Sequence, residues 1–147
     1  MGFSFKQQTP SSATVIRNQE ELSRIPNDKE DVWIATFVVA GKKSIVLKQQ
    51  HSMKNMTIGI NALIGVSMLE LNGLEALEKV VIMRGGLSGG SGRLRVTNCV
   101  NLRSIDIGTL AFMRYKSLEL FDLPQLLAVK LDDSAFQGIQ SILMESS

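Results

Sequence analysis

Residues 94–112 read LRVTNCVNLRSIDIGTLAF, and residues 118–136 read LELFDLPQLLAVKLDDSAF. Each stretch contains two short runs in which apolar and polar residues alternate, one at its start and one near its middle. Alternation places the apolar side chains on one face of the backbone and the polar ones on the other, as in β-strands. Each stretch therefore predicts two short strands, and the two stretches align as equivalent units of one repeat.

The same pattern recurs along most of the chain. Five units begin at Ile45, Leu69, Leu94, Leu118 and Ile142, so the steps between them are 24, 25, 24 and 24 residues. When the units are aligned, the first, third, ninth, twelfth and fourteenth positions are apolar. A unit of about 24 residues with two strands is one coil of a solenoid, and stacked coils align equivalent positions around one core. We therefore expect a mostly-β solenoid of about four to five coils, with two short parallel strands per coil.

The region before the repeats has a different character. Asn18, with Glu21 three residues later, has the pattern of a capping box and predicts a short helix to about Ile25. The following run VWIATFVV, residues 32–39, alternates like a strand, and Val39 matches the nineteenth position of a unit that begins earlier. These features predict a capping helix and strand. They divide the chain into a flexible tail at 1–14, an N-terminal cap with a degenerate first coil at 15–44, and the solenoid at 45–147.

The last unit is incomplete, since the sequence ends with ILMESS. Ile142 and Met144 continue two core columns, and nothing in the sequence covers that coil. An open coil is a template for pairing with another chain. The alternatives are that the sequence was cut from a longer chain, or that the nearby charges of Asp132, Asp133 and Glu145 keep the protein monomeric.

The two stretches quoted first resemble leucine-rich repeats. They are similar to the variant common in protist proteins and related to the bacterial surface-antigen (BspA-like) type, in which each unit has an L-x-S-I-x-I-G element and then an A-F or S-F pair. The resemblance covers about 100 residues and is weaker in the first unit, where Gln50, Met53 and Met56 replace the usual Leu and Ile; the second unit has Leu87 in place of the aromatic residue. It implies a curved leucine-rich-repeat solenoid that binds proteins, and it implies no catalytic residues.

A glycine-rich stretch, RGGLSGGSGR at Arg84–Arg93, raises the alternative of a phosphate-binding loop. Such loops open a helix, because the N-terminus of the helix binds the phosphate. Here Arg93 and Leu94 begin a predicted strand instead. The stretch takes the place of the return segment of its repeat, with one extra residue, and its composition is typical of a flexible linker. We interpret it as a flexible return loop.

The remaining chemistry points away from an enzyme, a cofactor or a metal site. His51 is the only histidine and lies in a predicted loop with no acidic residue near it in the sequence. Cys99 is the only cysteine and occupies an apolar column, which favours a buried and inert thiol. A single cysteine allows no disulfide within the chain, so we expect a reducing, cytoplasmic location.

Charge and hydropathy exclude two further classes of partner. The 16 basic and 14 acidic residues are nearly balanced, and no basic run is longer than Lys42–Lys43, so we expect no nucleic-acid partner. No apolar stretch reaches the roughly 18 residues that a membrane span needs, so we expect no membrane partner.

Apolar residues at outward positions are the candidate binding residues. Trp33, Val81 and Met83 lie where the second strand of a coil faces solvent, and apolar anchors inside a polar rim are typical of binding hot spots. Phe121 is a further candidate, beside the alternating charges on the other outward face. The sequence therefore predicts a non-enzymatic protein-binding scaffold that binds another protein of unknown identity. The alternative is a structural subunit that docks on a copy of itself or on a neighbour in a larger assembly, through the coil of Ile142 and Met144.

Overall fold

A computed structural model describes residues 13–145, and it shows a solenoid built almost entirely of β-strands. In chain order the elements are β1 (Thr14–Ile16), α1 (Gln19–Leu22), β2 (Asp31–Ile34), β3 (Ser44–Leu47), β4 (Asn55–Ile58), β5 (Met68–Asn72), β6 (Lys79–Ile82), β7 (Arg93–Thr97), β8 (Ser104–Ile107), β9 (Ser117–Phe121), β10 (Ala128–Leu131) and β11 (Ser141–Glu145). The four coils that begin with β3, β5, β7 and β9 each contribute one strand to each of two sheets, whereas β1, β2 and β11 each belong to a coil with one described strand.

All neighbouring strands within each of the two sheets are parallel. The six-stranded sheet has the order β1-β2-β4-β6-β8-β10, and the five-stranded sheet has the order β11-β9-β7-β5-β3. Leu69 pairs with Ile45 on one side and Leu94 on the other, and Leu118 pairs with Leu94 and Ile142. The register therefore follows the repeat steps of 24, 25, 24 and 24 residues, which confirms the predicted mostly-β solenoid.

The core lies between the two sheets and consists of the predicted apolar columns. Leu69, Leu71, Leu74 and Leu77, at the first, third, sixth and ninth positions of one unit, are all fully buried. Cys99 occupies the sixth position of the next unit and is also fully buried. Because each coil covers its neighbour, one continuous core extends along the solenoid.

The turn after β5, β7 and β9 explains the residue types at the fifth position of the repeat. Gly73, Asn98 and Asp122 share the fifth position, and their φ angles are 69°, 56° and 57°. Glycine adopts this left-handed region freely, and Asn and Asp tolerate it better than other residues. Gly73 and Asn98 each donate a backbone hydrogen bond to the following coil, at 3.0 and 3.1 Å. The turn therefore links each coil to the next.

The nineteenth position combines burial with an unusual backbone conformation. Leu63, Leu87, Phe112 and Phe136 have positive φ angles and are buried. Each donates its N–H to a carbonyl of the preceding coil; for Phe112 and Gly86 the distance is 2.9 Å. The Phe112 and Phe136 rings stack with centroids 4.8 Å apart. Burial and hydrogen bonding thus hold bulky residues in a region of φ that costs them energy.

The N-terminal cap differs from the prediction in detail. Positions 1–12 of the predicted tail lie outside the described residues. Thr14, which was predicted to belong to the tail, instead begins β1, which pairs with β2. Helix α1 ends at Leu22 rather than near Ile25. Its predicted cap is present, because the Asn18 side chain accepts a hydrogen bond from the Glu21 N–H at 2.9 Å.

Val39 does not take the core position predicted for it. Val39 is 62% exposed, whereas its neighbour Val38 is only 5% exposed and packs in the core. The positive φ of 64° at Phe37 recurs at the equivalent Asn61, so it does not distinguish this unit, whereas Val39 lacks the positive φ of its equivalent, Leu63. The degenerate unit therefore keeps the register but buries a different residue.

The glycine-rich stretch is packed rather than slack, which corrects its interpretation as a flexible loop. Gly90 is buried, and a side chain there would overlap the Val66 carbonyl of the preceding coil. A side chain at Gly92 would overlap the Ser67 carbonyl in the same way. The glycines are therefore required by close contact between two backbones. As predicted, Arg93 begins a strand, β7.

Candidate interaction surfaces

The outward face of the six-stranded sheet contains three of the residues selected from the sequence. Trp33 on β2 pairs with Thr57 on β4, and Thr57 pairs with Val81 on β6. Thr57 is buried although it lies on the outward face, whereas Trp33 and Val81 are half-buried. Their apolar side chains flank the threonine along the ladder. This part of the face is therefore less hydrated than a solvated sheet surface.

A shallow groove of about 490 Å³ continues from this ladder. Val81 and Met83 line it together with Asp106 and Lys130, which belong to β8 and β10. A Cβ at Gly108 would lie 2.9 Å from the backbone nitrogen of Arg84, so only glycine fits at that position of the groove. The groove thus combines apolar side chains with two residues of each charge, since Arg84 and Asp132 also line it. We call it, with Trp33, the ladder face.

One exposed aromatic residue on this side of the molecule gave no signal in the sequence. Phe37 is 66% exposed and donates its backbone N–H to the Ile60 carbonyl at 3.2 Å. Ile60 also lines the groove with Met83. The exposure of Phe37 follows from its positive φ, a conformation that the sequence of the degenerate unit did not reveal. Phe37 therefore extends the apolar surface beside the ladder face.

Phe121 lies on the opposite sheet, at the end of β9. The Arg95 guanidinium lies 5.5 Å from the centre of its ring, which is cation–π geometry. Glu119, nearly buried, lies 3.8 and 3.9 Å from the guanidinium nitrogens of Arg93 and Arg95. The predicted alternation of charge on this face is present as an ion-pair cluster. Phe121 is thus a partner of Arg95 and is far from the ladder face in the topology.

The end of the solenoid at β10 and β11 exposes core columns. Met144 on β11 is 62% exposed, Ile142 is also exposed, and Leu127 beside β10 is 80% exposed. Among residues 13–145, no strand pairs with the outer edge of either β10 or β11. Ile142 and Met144 keep the predicted register with Leu118 and Leu120. This end presents both apolar side chains and backbone hydrogen-bonding groups.

A cleft lies at the opposite end, and the sequence did not predict it. It has a volume of about 1050 Å³ and separates α1 from β3. Leu22 and Ile25 line it from the side of the helix, and Ile45 and Val46 line it from the strand. The cleft depends on a helix taking the place of a strand, which no single residue type signals.

The two candidate reactive groups, Cys99 and His51, differ in their environment. Burial raises the pKa of the Cys99 thiol, although two backbone hydrogen bonds oppose this effect, so the thiol form is favoured. His51 Nδ1 lies 3.7 Å from a carboxylate oxygen of Glu75, and both side chains are exposed. No cluster of three or more potential metal ligands occurs within residues 13–145. No helix in the same range has the length and apolar character needed to cross a bilayer.

The structure thus distributes the predicted binding residues over three surfaces. Trp33, Val81 and Met83 share the ladder face, Phe121 lies on the five-stranded sheet, and Ile142 with Met144 lies on the terminal edge. Comparison with known proteins gives no relative, because no family model, no curated protein and no solved structure matches the chain.

Proposed function

We propose that the protein is a non-enzymatic scaffold of the leucine-rich-repeat type, which binds another protein through the ladder face. The observation that supports this proposal best is the pair of apolar side chains, Trp33 and Val81, that flank Thr57 on the ladder beside a groove with charged walls. Trp33, Val81 and Met83 supply apolar area, while Asp106 and Lys130 supply polar groups at the rim. Binding hot spots combine central apolar anchors with a polar rim in this way.

The resemblance of the repeats to leucine-rich repeats supports the same proposal, since solenoids of this type present extended binding surfaces. The Cys99 thiol is buried, so it is out of reach of a substrate. We therefore favour a protein partner over a substrate and expect it to be found in the cytoplasm.

The test compares substitutions inside and outside the ladder face. Trp33→Ala and Val81→Asp should each reduce the amount of a bound partner by about tenfold or more, because hot-spot residues contribute about 2 kcal/mol or more. The melting temperature should change little. Val100→Asp is the matched control, because Val100 is an exposed apolar residue outside the ladder face. Partners captured by the unaltered protein are quantified by mass spectrometry and then titrated in purified form. Equal binding by Val81→Asp and the control would exclude the ladder face, and a large drop in melting temperature would make Trp33 a core residue.

The alternative function is that of a structural subunit that docks through its last coil. The exposure of Ile142, Met144 and Leu127 favours it, since uncovered core columns and an unpaired strand edge promote association. Light scattering over a range of concentrations measures the mass. A species larger than 16.1 kDa that Met144→Asp dissociates, and that Val100→Asp does not, would support docking. A stable monomer at every concentration would leave the ladder face as the binding surface.

A further inference from the structure

Among residues 13–145, no strand of the five-stranded sheet lies beyond β3 at its N-terminal end. In the later coils, a strand of this sheet precedes each strand of the other sheet: β3 precedes β4, and β5 precedes β6. The coil of β2 has no such strand, because the equivalent residues, about 20–24, form α1 and the turn after it. β3 therefore pairs only with β5, and the cleft of about 1050 Å³ lies along its other edge.

The backbone of β3 offers hydrogen-bonding groups to this cleft. The Lys43 carbonyl accepts bonds from Ser67 and Met68 at 2.7 and 3.1 Å, so Lys43 faces β5. Successive residues of a strand direct their backbone groups to opposite sides, so Ile45 also faces β5, whereas Val46 faces the cleft. No hydrogen bond of the Val46 N–H or C=O occurs within residues 13–145. The edge is thus free to pair with an added strand.

The side chains at this edge are also incompletely covered. Ile45 is half-buried, whereas Leu69, Leu94 and Leu118 at the same position of the later coils are buried. Val46 is 45% exposed. Each later residue has a strand on both sides, and Ile45 has a strand on one side only. An added strand with apolar residues at alternate positions would cover Ile45 in the way that the neighbouring coils cover Leu69.

The charges around the cleft indicate which side chains the added strand would have. Lys42, Lys43 and Lys48 flank β3, are exposed, and form no ion pair within the described residues. The one acidic residue that lines the cleft, Glu20, is paired with Arg24 at 2.7 Å. Lys42 lines the cleft, and Lys43 and Lys48 lie beside it on the chain, so the unpaired charge near the cleft is positive, which favours acidic residues in the occupant.

We propose that the cleft between α1 and β3 binds an extended peptide segment of a partner protein, which has apolar residues at alternate positions and acidic residues between or beside them. The segment pairs with the open edge of β3 and completes the five-stranded sheet. This mode of recognition takes its affinity from backbone hydrogen bonds and its selectivity from alternate side chains. The inference rests on the proposed function in one respect, that the chain binds proteins. The two surfaces are separate, because the cleft and the ladder face have no lining residue in common.

The probe is a fluorescent peptide SLELFD, which has the sequence of residues 117–122 and so forms a strand of this sheet in the protein itself. Its partner probe SLKLFK reverses the charges. Val46→Pro removes the backbone donor that faces the cleft and leaves the bonds between β3 and β5 in place, because proline is tolerated at an outward-facing position of an edge strand. Met144→Pro is the matched control, since it removes an outward N–H at the other edge of the same sheet. Fluorescence anisotropy of the full chain measures the binding.

SLELFD should bind the unaltered protein and Met144→Pro alike, and Val46→Pro should weaken binding about tenfold or more, the equivalent of one or two lost hydrogen bonds. SLKLFK should bind more weakly than SLELFD, and added salt should reduce the difference.

Equal binding by Val46→Pro and Met144→Pro, or no binding of SLELFD up to about 1 mM, would overturn the proposal. A dimer that Val46→Pro dissociates would assign the cleft to a second copy and also overturn it. Val81→Asp should leave peptide binding unchanged, so a failure here is distinct from a failure of the ladder face.

Discussion

The side chain of Tyr115 occupies the space that the missing side chains of the glycine-rich coil leave open. Its hydroxyl donates a hydrogen bond to the Val66 carbonyl at 2.6 Å, across the intervening coil of Gly90. A side chain at Gly90 would overlap the same carbonyl, so the absence of a Cβ leaves room for the phenol. The ring is fully buried and packs edge-on against Phe112, with centroids 4.8 Å apart. The glycines and the tyrosine thus form one structural unit.

We expect Tyr115→Phe to lower the free energy of unfolding by about 1–2 kcal/mol, because it leaves the buried Val66 carbonyl without its donor. The ring packing is retained, so the loss reports the hydrogen bond. Urea unfolding followed by the fluorescence of Trp33, the only tryptophan, measures the difference. A variant as stable as the unaltered protein would mean that the Val66 carbonyl finds another donor, such as water.

Burial also raises the pKa of Tyr115, which predicts a loss of stability in alkali. Below about pH 10 both the folded and the unfolded chain keep the phenol proton. Above that value the unfolded chain loses the proton while the folded chain keeps it, so stability should fall by up to about 1.4 kcal/mol per pH unit. The unaltered protein should show this extra slope relative to Tyr115→Phe between about pH 10 and 11. Tyr115 is the only tyrosine, so tyrosinate absorbance in the folded protein with a midpoint near pH 10 would contradict the prediction.

Alanine substitutions at Gly92 and Gly138 test the close contact between backbones in the glycine-rich stretch. Gly92→Ala should destabilise the protein by about 1–3 kcal/mol, because the new methyl group overlaps the Ser67 carbonyl and forces the backbones apart. Gly138→Ala places its methyl group 3.4 Å from the Met113 carbonyl, so its effect should stay within about 0.5 kcal/mol. Thermal unfolding compares the two. Equal stability of both variants would restore the interpretation as a slack loop.

At the scale of the elements, the strands could be predicted but their connections could not. The alternation in LELFDL or SIDI, repeated at steps of 24 and 25 residues, fixes both the face and the register of each strand. The strand β1 escaped prediction because Thr14–Ile16 is too short to show alternation. The exposure of Val39 accompanies the loss of the positive φ that the nineteenth position has in the later units, and side-chain types do not encode that angle.

One candidate site could be predicted from the sequence, and the other could not. The positions of Trp33, Val81 and Met83 on one face follow from the strand register, so the sequence was sufficient to place them together. The cleft beside β3 could not be foreseen, because the predicted capping helix has to lie beside the strand without filling the space next to it. Clefts of this kind arise from the relative position of two elements, whereas ladders arise from the pattern within each element.

The turns that join the two sheets provide an element-scale prediction. Asn98 has a φ of 56°, so Asn98→Val should destabilise the protein by about 1–2 kcal/mol, because a β-branched side chain is strained in the left-handed region. Asn98→Gly should be neutral or slightly stabilising, since Gly73 occupies the equivalent position in the preceding coil. Chemical denaturation of the matched pair measures the difference. If valine and glycine are tolerated equally, the turn has to adopt another conformation in solution.

At the scale of the whole molecule, the two ends of the five-stranded sheet are open in different ways. At one end β3 faces a cleft that α1 partly covers, and at the other end β11 exposes its apolar side chains to solvent. In a solenoid each coil contacts only its neighbours, so the terminal coils are the least stabilised and the most available for partners. The proposed peptide site and the proposed docking edge therefore occupy opposite ends of one sheet.

Hydrogen exchange of single amides distinguishes these two ends. The Asp122 N–H donates to the Glu145 carbonyl at 2.8 Å, so Glu145 and, by alternation, Leu143 face β9, whereas Ile142 and Met144 face outward. In the monomer we expect slow exchange at Ile45 and Leu143, and fast exchange at Val46 and Met144, when the amides are followed by nuclear magnetic resonance. Binding of SLELFD should slow Val46 alone, whereas association through the last coil should slow Met144 as the protein concentration rises. Slow exchange of Val46 in the free monomer would contradict an open edge at β3, because an N–H is protected only when it is hydrogen-bonded or shielded from water.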